Sequence, residues 1–528
     1  MHCLVAKRCG FGQNARPRWR VCEGLADRAE RLVEFTYTRE YAMSKRKLST
    51  FERLHQGKMN RKQRKDLARR LYSDNPGLEV VHRNVAGIDV GNESHFVAVA
   101  PGCDPQPVRE FGSWTADLMR MAEWLKSCGV KMVVMQSTGV YWIAVYEVLE
   151  KAGFEVWLTN ARDTKNLPGR KSDVQESQWL LKLQTYGLLR NSFHPPEEIR
   201  RLRTMWRLRE RHVQEAGRAI QHMQKALTTM NVQLANSLSD ISGVSGQAII
   251  RAILKGERDP YQLARLRDYR VQASEEEIAR SLEGHWQEDV LFELQQAVDG
   301  YDFYHQQIRE CDRQLQKYLA AVHPRPPIQP QPVATVGSAA SQQAPKPKKK
   351  KGSKQPRKNE PKFDVDAELN RICGVDLRTI DGVDVMTILT LVSELGTDMT
   401  PWPSEDHLVS WLKLSPRRQV SGGKLIKHEH HKVKNRAAEA LRMAASTLTR
   451  SDSYLGARFR SLRSRLGPGK AIKAMAAYLA RLIYRMLTRG QAWVDRGAQQ
   501  YETKRHARET HSLQRRAATL GFRLVPVA

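Results

Sequence analysis

Residues 84–102 read NVAGIDVGNESHFVAVAPG, and this stretch decides the fold. Its two apolar runs are separated by Gly, Asn and Glu residues, a pattern typical of two strands joined by a short turn. Asp89 lies near the end of the first run. A carboxylate in that position would project from a rigid sheet, where it can serve a site at the edge of the sheet.

The residues that follow alternate between strand and helix patterns. In order, they are a strand VREFGSW (108–114), a helix TADLMRMAEWLKSCG (115–129), a strand KMVVMQS (131–137), a helix YWIAVYEVLEKAG (141–153), a strand FEVWLTN (154–160) and a helix within GRKSDVQESQWLLKLQTYG (169–187). We expect Thr115 to cap the first helix and Gly129 to end it. The order β-β-β-α-β-α-β-α is that of an α/β ribonuclease H-like fold, although many α/β folds share such alternation.

A chain of 528 residues is expected to form two or three domains. Shifts in composition predict where they divide. The predicted parts are a disordered or non-native extension (1–42, with Met43 as the natural start), a basic N-terminal segment (43–84), the α/β domain (85–190), a helical region (195–322), a disordered Pro/Lys-rich linker (323–362), a mostly α-helical C-terminal domain (363–490) and a basic tail with a loosely held helix (491–528).

The helical region carries an apolar repeat with alternating spacings of three and four residues. Its members are Val213, Ala216, Ile220, Met223, Leu227, Met230 and Leu234. Such a repeat predicts a coiled-coil arm, and equally a long helix that packs on its own domain. A second helical run at 288–319 could pair back on the first.

The charge of the chain indicates a nucleic-acid partner. Lys and Arg number 87 against 57 acidic residues, a formal net charge of +30, which a polyanion would neutralise. No apolar run reaches the length of a membrane span or of a signal peptide's core, so no membrane partner is expected. None of the seven cysteines forms a CxxC pair. This argues against a disulfide scaffold or a zinc module and fits a reducing cytoplasm.

Two patterns are open to a chemical interpretation. Asp173 and Glu176 are three residues apart in a predicted helix, so both carboxylates share one face. Together with Asp89 they could hold Mg²⁺, which prefers oxygen ligands, but most acid pairs at this spacing are only solvated.

The segment TIDGVDVMTILTLVSELG (379–396) has the shape of a helix-hairpin-helix with Gly382 in its turn. The backbone amides of such a turn could contact a DNA phosphate.

Several blocks resemble one known family. GIDVG (87–91), STGVYW (137–142) and NARDTKNLPGRKSDVQESQWL (160–180) together are similar to the DEDD-type transposases of the insertion sequence one-ten family. The block LKLSPRRQVSGGK (412–424), with IDGVDVMTILTLVSELG (380–396) before it, resembles the C-terminal transposase domain of that family. The two matches lie in the family's order with a helical region between them.

The resemblance implies a metal site in a RuvC-like domain. Four acidic residues bind divalent metal in that family, and Asp89 matches the first, Asp173 the third and Glu176 the fourth. Gln136 occupies the second position, where the family has glutamate, and Glu176 stands where aspartate is usual. A glutamine coordinates through its carbonyl oxygen without adding charge. The implied site for Mg²⁺ or Mn²⁺ is therefore altered at two of four positions.

The resemblance also implies that Ser421 is a catalytic nucleophile. Gly422 and Gly423 would let the backbone approach a phosphate, whereas Ser415, the nearest other serine, lacks flanking glycines. Without the resemblance, an isolated SGG is normally only a turn. The expected nucleic-acid contacts around it are Arg417, Arg418, Lys424, Lys427, Lys432, Lys434 and Arg436, and we also expect His428, His430 and His431 to contact phosphate rather than zinc.

The expected function is that of a transposase or recombinase of a bacterial insertion sequence. It would cut and rejoin donor and target DNA at a composite metal and serine centre. The resemblance further implies a structured guide RNA, a dimer or tetramer joined through the heptad helix, and a place in the cytoplasm at the nucleoid. The alternatives are a metal-only nuclease of the Holliday-junction type and, because of Gln136, an inactive nucleic-acid-binding regulator.

Overall fold

A computed structural model describes residues 50–55, 59–73, 76–137, 139–160, 173–326, 359–421, 424–429, 435–490 and 497–525. The chain divides into two compact units, residues 1–194 and residues 195–528. The expectations for residues 1–42, for Met43 and for most of the linker (327–358) lie outside the described residues. Within the described ranges, no helix is long and apolar enough to cross a membrane.

The first unit contains a five-stranded mixed sheet. Its elements are α1 (Thr50–His55), α2 (Arg61–Tyr72), β1 (Val85–Val90), β2 (Ser94–Val99), β3 (Val108–Gly112), α3 (Thr115–Ser127), β4 (Met132–Gln136), α4 (Trp142–Lys151), β5 (Glu155–Thr159) and α5 (Asp173–Thr185). The strand order is β3-β2-β1-β4-β5. β1 is antiparallel to β2 and parallel to β4, which confirms the predicted strands and the α/β character of this unit.

The sheet has a separate apolar core on each of its two faces. On one face, Ile88 and Met135 pack with Leu125 of α3 and Leu149 of α4. On the other face, strand side chains pack with α5 and with the buried side of α2; they include Val85, Met132 and Val134. The prediction that Thr115 caps α3 is wrong, because Trp114 is the N-cap and makes no side-chain hydrogen bond. Thr115 instead begins the helix, and Gly129 follows its end with a φ of +68°.

Two long helices organise the first part of the second unit. α6 (Glu197–Thr229) and α11 (Glu288–Ala321) pack along each other, so the second helical run does return to the first. Between them lie the short helices α7 (Leu234–Ser237), α8 (Val244–Leu254), α9 (Pro260–Ala264) and α10 (Glu275–Ser281). The later heptad residues Met223, Leu227 and Met230 are buried in one core with these short helices. This packing does not confirm a coiled coil.

The rest of the second unit is mostly helical. Its elements are α12 (Val365–Cys373), a 3-10 turn (Leu377–Thr379), α13 (Val385–Leu395), α14 (Glu405–Trp411), β6 (Arg417–Ser421), β7 (Lys424–Glu429), α15 (Arg436–Thr447), a 3-10 turn (Leu448–Arg450), α16 (Tyr454–Leu466), α17 (Pro468–Arg489) and α18 (Ala498–Thr519). In α18 only Tyr501 is buried, against Tyr454 of α16.

The predicted helix-hairpin-helix is wrong in its first half. Between α12 and α13, the residues before Gly382 form a 3-10 turn (Leu377–Thr379) in place of the predicted helix, and α13 follows as the second helix. Gly382 has a φ of +81°, and a Cβ there would lie 2.7 Å from the carbonyl oxygen of Ala444 in α15. The glycine is therefore explained by packing within the protein.

A buried ion pair joins the two long helices. Arg209 of α6 is only 1% exposed, and its Nε donates to Asp312 of α11 over 2.5 Å. Its Nη1 also donates to the carbonyl oxygen of Asn359 over 3.0 Å. Because both charges are removed from water, each depends on the other for stabilisation.

Replacing Arg209 by Met should destabilise the second unit by about 3–5 kcal/mol, since Asp312 would be left buried without its cation. The thermal unfolding midpoint, followed by circular dichroism, measures the loss. The double variant Arg209→Met/Asp312→Leu should recover most of it, and Arg211→Met, at an exposed position of the same helix, should change little. A single variant as stable as the wild type would show that the pair does not hold the helices together.

Candidate functional site

Asp89 and Gln136 lie at the same end of two adjacent parallel strands. β1 and β4 pair from Val85 with Met132 to Ile88 with Met135, and Asp89 and Gln136 are the next residues of the two strands. Both therefore stand at the carboxyl ends of their strands. That edge is where open α/β sheets commonly place their functional side chains.

The alternation of the strands also assigns both residues to one face. Val85 and Val134 belong to the core on the α5 side, and Asp89 and Gln136 follow them at even spacing. His95 of β2 is near Asp89 in the register, because it pairs with Val90. Its side chain is on the opposite face, which it shares with Val97 of the other core. Burial lowers the pKa of His95, which favours a neutral imidazole packed in the sheet.

The backbone of α5 touches β1 at Gly87. A Cβ on Gly87 would lie 2.2 Å from the carbonyl oxygen of Ser177 and 2.4 Å from the amide nitrogen of Leu181, closer than any side chain allows. Gly87 and Asp89 are two residues apart in β1 and so share one face of the sheet, and Ser177 directly follows Glu176. The contact therefore holds the helix that carries Glu176 directly against the strand that carries Asp89. Asp173 is the first residue of α5, but its side chain lies outside the described residues.

The surroundings of Gln136 supply a further oxygen. Gln136 is 8% exposed and pairs in register with Thr159 of β5. Thr159 is fully buried, and its Oγ1 has no hydrogen-bond partner among the described residues. A buried hydroxyl of this kind normally has a partner, so its state calls for an explanation.

The donor set at this edge suits a hard divalent cation. Asp89 and Glu176 offer carboxylate oxygens, and Gln136 and Thr159 offer neutral oxygens, which are the ligand types of Mg²⁺ and Mn²⁺. Among the residues that the structure describes, no group of three or more His, Cys, Asp or Glu side chains stands ready to hold an ion. That search covers described residues only, and the side chain of Asp173 is not one of them.

Ser421 lies in the second unit, at the end of a two-stranded hairpin that the sequence interpretation missed. β6 ends at Ser421 and β7 begins at Lys424, and these two residues pair directly. Arg417, Arg418 and Lys427 belong to the same hairpin, with Arg418 opposite His428. The side chains of this hairpin are outside the described residues, as are the whole of residues Gly422, Gly423, His430, His431, Lys432 and Lys434.

The structure places two of the expected contact residues, His428 and Arg436. His428 lies on strand β7. Arg436 begins α15 and forms an ion pair with Glu210 of α6. Burial raises the pKa of Glu210, while Arg436 acts in the opposite direction. The charge of Arg436 is thus partly neutralised within the protein.

Sequence interpretation missed Gly87 and Thr159 as parts of the site. A glycine within an apolar strand is a recognised sign of close backbone approach, so Gly87 could have been found. Thr159 carries no such sign, because its importance follows from its register with Gln136.

Two family models match the chain. One, described as a transposase of the DEDD type of IS110 elements, matches residues 86–232, and the other, described as transposase IS116/IS110/IS902 family, matches residues 376–460. The first match includes β1, β4 and α5, and the second includes the hairpin with Ser421. No curated protein matches the chain.

Gly87→Ala should abolish metal-dependent activity, because the added methyl would push α5 away from β1. We expect a loss of stability of about 1–3 kcal/mol, as for other overpacked cores. The matched control is Gly217→Ala in α6, where a Cβ would meet no atom within 4 Å. Thermal unfolding and DNA cleavage assays measure both effects. Full activity of Gly87→Ala would mean that the closeness of α5 to β1 does not matter for the site.

Gln136→Glu should make the stability of the first unit depend more strongly on Mg²⁺. Without metal, a buried carboxylate next to Asp89 is unfavourable, whereas a bound cation would stabilise it. Gln184→Glu is the control, since Gln184 is fully buried on the same side of the sheet and donates to the Met132 sulfur. Unfolding midpoints are measured against Mg²⁺ concentration. An equal Mg²⁺ response in the two variants would argue against a cation beside Gln136.

Proposed function

We propose that this chain, a DNA transposase of the IS110 family, cuts and rejoins DNA strands at two sites. It would use a divalent-metal site in its first unit and a serine nucleophile in its second. The observation that carries this proposal is that Asp89 and Gln136 lie at the carboxyl ends of adjacent strands, with the helix of Glu176 packed directly on the strand of Asp89. The hairpin that presents Ser421 adds the second component.

Asp89, Gln136, Asp173 and Glu176 would hold Mg²⁺ or Mn²⁺. When bound, such an ion neutralises charge on the phosphate and stabilises the attacking or leaving oxygen. Asp89 is held by a strand inside the sheet, and Glu176 by a helix that Gly87 keeps in place. These residues would therefore orient the phosphodiester without rearrangement of the backbone.

Ser421 would supply the covalent step. Its Oγ attacks the phosphorus, an Oγ–P bond forms, and the P–O bond to the leaving deoxyribose breaks. The serine proton passes to the leaving hydroxyl group, so the step needs no other reactant. Attack by the hydroxyl of a second strand then reverses the step and joins that strand, which conserves the energy of the bond.

The hairpin would also bind the DNA backbone. Arg417, Arg418, Lys424 and Lys427 lie on its two paired strands within a few residues of Ser421. Cationic side chains contact phosphates without regard to base sequence, so they would set the position of the strand. Lys432, Lys434 and Arg436 follow directly in the sequence and would extend this contact.

Sequence recognition would come from a structured guide RNA. The net charge of +30 supports binding of RNA together with donor and target DNA. Exchange between two duplexes also needs more than one set of catalytic residues, so a dimer or tetramer is proposed. The heptad of α6 does not offer its interface, because Met223, Leu227 and Met230 are buried within the protomer. An enzyme with these partners would work at the bacterial nucleoid.

A metal-only nuclease is the second candidate. It is favoured by the fact that Asp89, Gln136, Asp173 and Glu176 all belong to the first unit, so hydrolysis would not require Ser421. An inactive nucleic-acid-binding regulator is the third, and the missing charge at Gln136 favours it.

The deciding experiment incubates the full chain with labelled donor and target DNA, RNA transcribed from the flanking element and Mg²⁺. The expected product is a protein–DNA adduct that survives denaturation. Ser421→Ala and Asp89→Ala should each abolish it, because one removes the nucleophile and the other a carboxylate of the metal site. Ser415→Ala is the matched control and should retain it.

The other outcomes identify the other candidates. Cleavage without an adduct, unchanged by Ser421→Ala, would establish the metal-only nuclease. Tight binding of nucleic acid without any metal-dependent cleavage would establish the regulator.

A further inference from the structure

Helix α2 is a strongly basic element that precedes the part of the chain matched by the family models. It spans Arg61–Tyr72, whereas the first match begins at residue 86. Its sequence RKQRKDLARRLY contains six basic residues and one acidic residue, a net charge of +5. The proposed metal site and hairpin make no use of this charge.

The helix is firmly attached to the first unit. Asn60 and Gln63 form a capping box at its start, with hydrogen bonds of 2.8 and 3.0 Å. Leu67, Ala68 and Leu71 are buried in the core beneath it. A helix fixed at its start and along one side keeps the backbone positions of its exposed residues constant.

That core lies on the face of the sheet that carries the candidate metal site. It includes Leu180 and Leu183 of α5, the helix to which Glu176 belongs. At the end of α2, the Ser73 carbonyl oxygen accepts a hydrogen bond of 2.8 Å from Lys182 Nζ of α5. Thus α2 and α5 are neighbours on the same side of the sheet.

The outward face of α2 carries a row of cations. Lys62, Lys65 and Arg69 are exposed and are separated by three and four residues, so they form one stripe opposite the buried side chains. No hydrogen bond or ion pair joins these three side chains to another residue in the described part of the chain. Arg70 differs, because its guanidinium donates to the carbonyl oxygens of Pro76 and Gly77.

The dimensions of the stripe suit a nucleic-acid backbone. Seven residues of helix rise about 10 Å, the axial length of about three phosphates of one DNA strand. Three cations at this spacing would face consecutive phosphates. Asp66 is exposed on the same helix but forms no ion pair with them in the described part of the chain. The alternative is an ordinary solvated face, which would bind nothing measurably.

We propose that Lys62, Lys65 and Arg69 of α2 form a contact surface for the phosphate backbone of duplex DNA, which holds the substrate on the side of the sheet that bears the metal site. The inference rests on the proposed function in taking DNA as the substrate of this face. It adds a binding surface from a segment outside the two matched regions. Contacts of this kind set affinity and position but do not read sequence.

The test compares two charge-matched double variants of the full chain. Lys62→Gln/Lys65→Gln removes two cations from α2, and Lys126→Gln/Lys151→Gln removes two exposed cations from α3 and α4 on the opposite face of the sheet. Gln and Lys have similar helix propensities, so both variants should fold, which circular dichroism verifies. Binding of a short random-sequence DNA duplex is measured without divalent metal over a series of KCl concentrations.

The α2 variant should bind the duplex about tenfold more weakly at low salt. Its plot of log affinity against log salt should be less steep by about two, because two phosphate contacts are lost. The control variant should keep the wild-type slope. Equal effects in both variants, or no effect in either, would overturn the proposal.

Two further measurements distinguish DNA binding by α2 from RNA binding and from the proposed metal site. Binding of a structured RNA of similar length is measured in parallel, and a loss confined to RNA would overturn the assignment to DNA. Asp89→Ala should bind the duplex normally but fail to cut it. If Asp89→Ala cuts normally, the proposed metal site is wrong, whereas the result for α2 still stands on binding alone.

Discussion

The contact between Gly87 and the backbone of α5 is the constraint on which the first unit depends. A carbonyl oxygen and an amide nitrogen occupy the space where any other residue would place its Cβ. The helix therefore has one allowed depth over the sheet, set by hard-core repulsion rather than by adjustable side chains. Because Asp89 is two residues from Gly87 and Glu176 is next to Ser177, the same contact brings the two carboxylate-bearing elements together.

The chemistry of the sheet edge follows from this closeness. Carboxylates on two touching elements repel each other unless a cation or a proton intervenes. Gln136 lowers that repulsion, because it places a neutral amide where a further carboxylate would otherwise be buried beside Thr159. In the proposed metal site, glutamine would make the metal-free edge easier to fold and weaken the attraction for a cation. Folding and metal affinity would thus be opposed at this one position.

In the second unit, ion pairs join the long helix α6 to other helices. α6 connects to α11 through the buried pair of Arg209 and Asp312, and to α13 through Arg207, which donates two hydrogen bonds of 2.8 Å to Glu394. Arg436, directly after the basic segment that follows the hairpin, is paired with Glu210 of α6. The Arg209–Asp312 pair fixes geometry most firmly, because both side chains are buried and neither can move without leaving the other unpaired.

The sequence by itself determined the five strands of the sheet, their order along the chain and the place of Asp89 near the end of the first, because alternation of apolar residues is a local property that survives into the fold. It also determined the basic character of the chain. Only the tertiary structure decided that Gly382 packs on α15, that Trp114 rather than Thr115 caps α3, and that Ser421 ends a strand. It alone brought Gln136 beside Thr159 and α2 beside α5. These features depend on residues far apart in the chain, whose distances are set by packing and register, which local patterns do not contain.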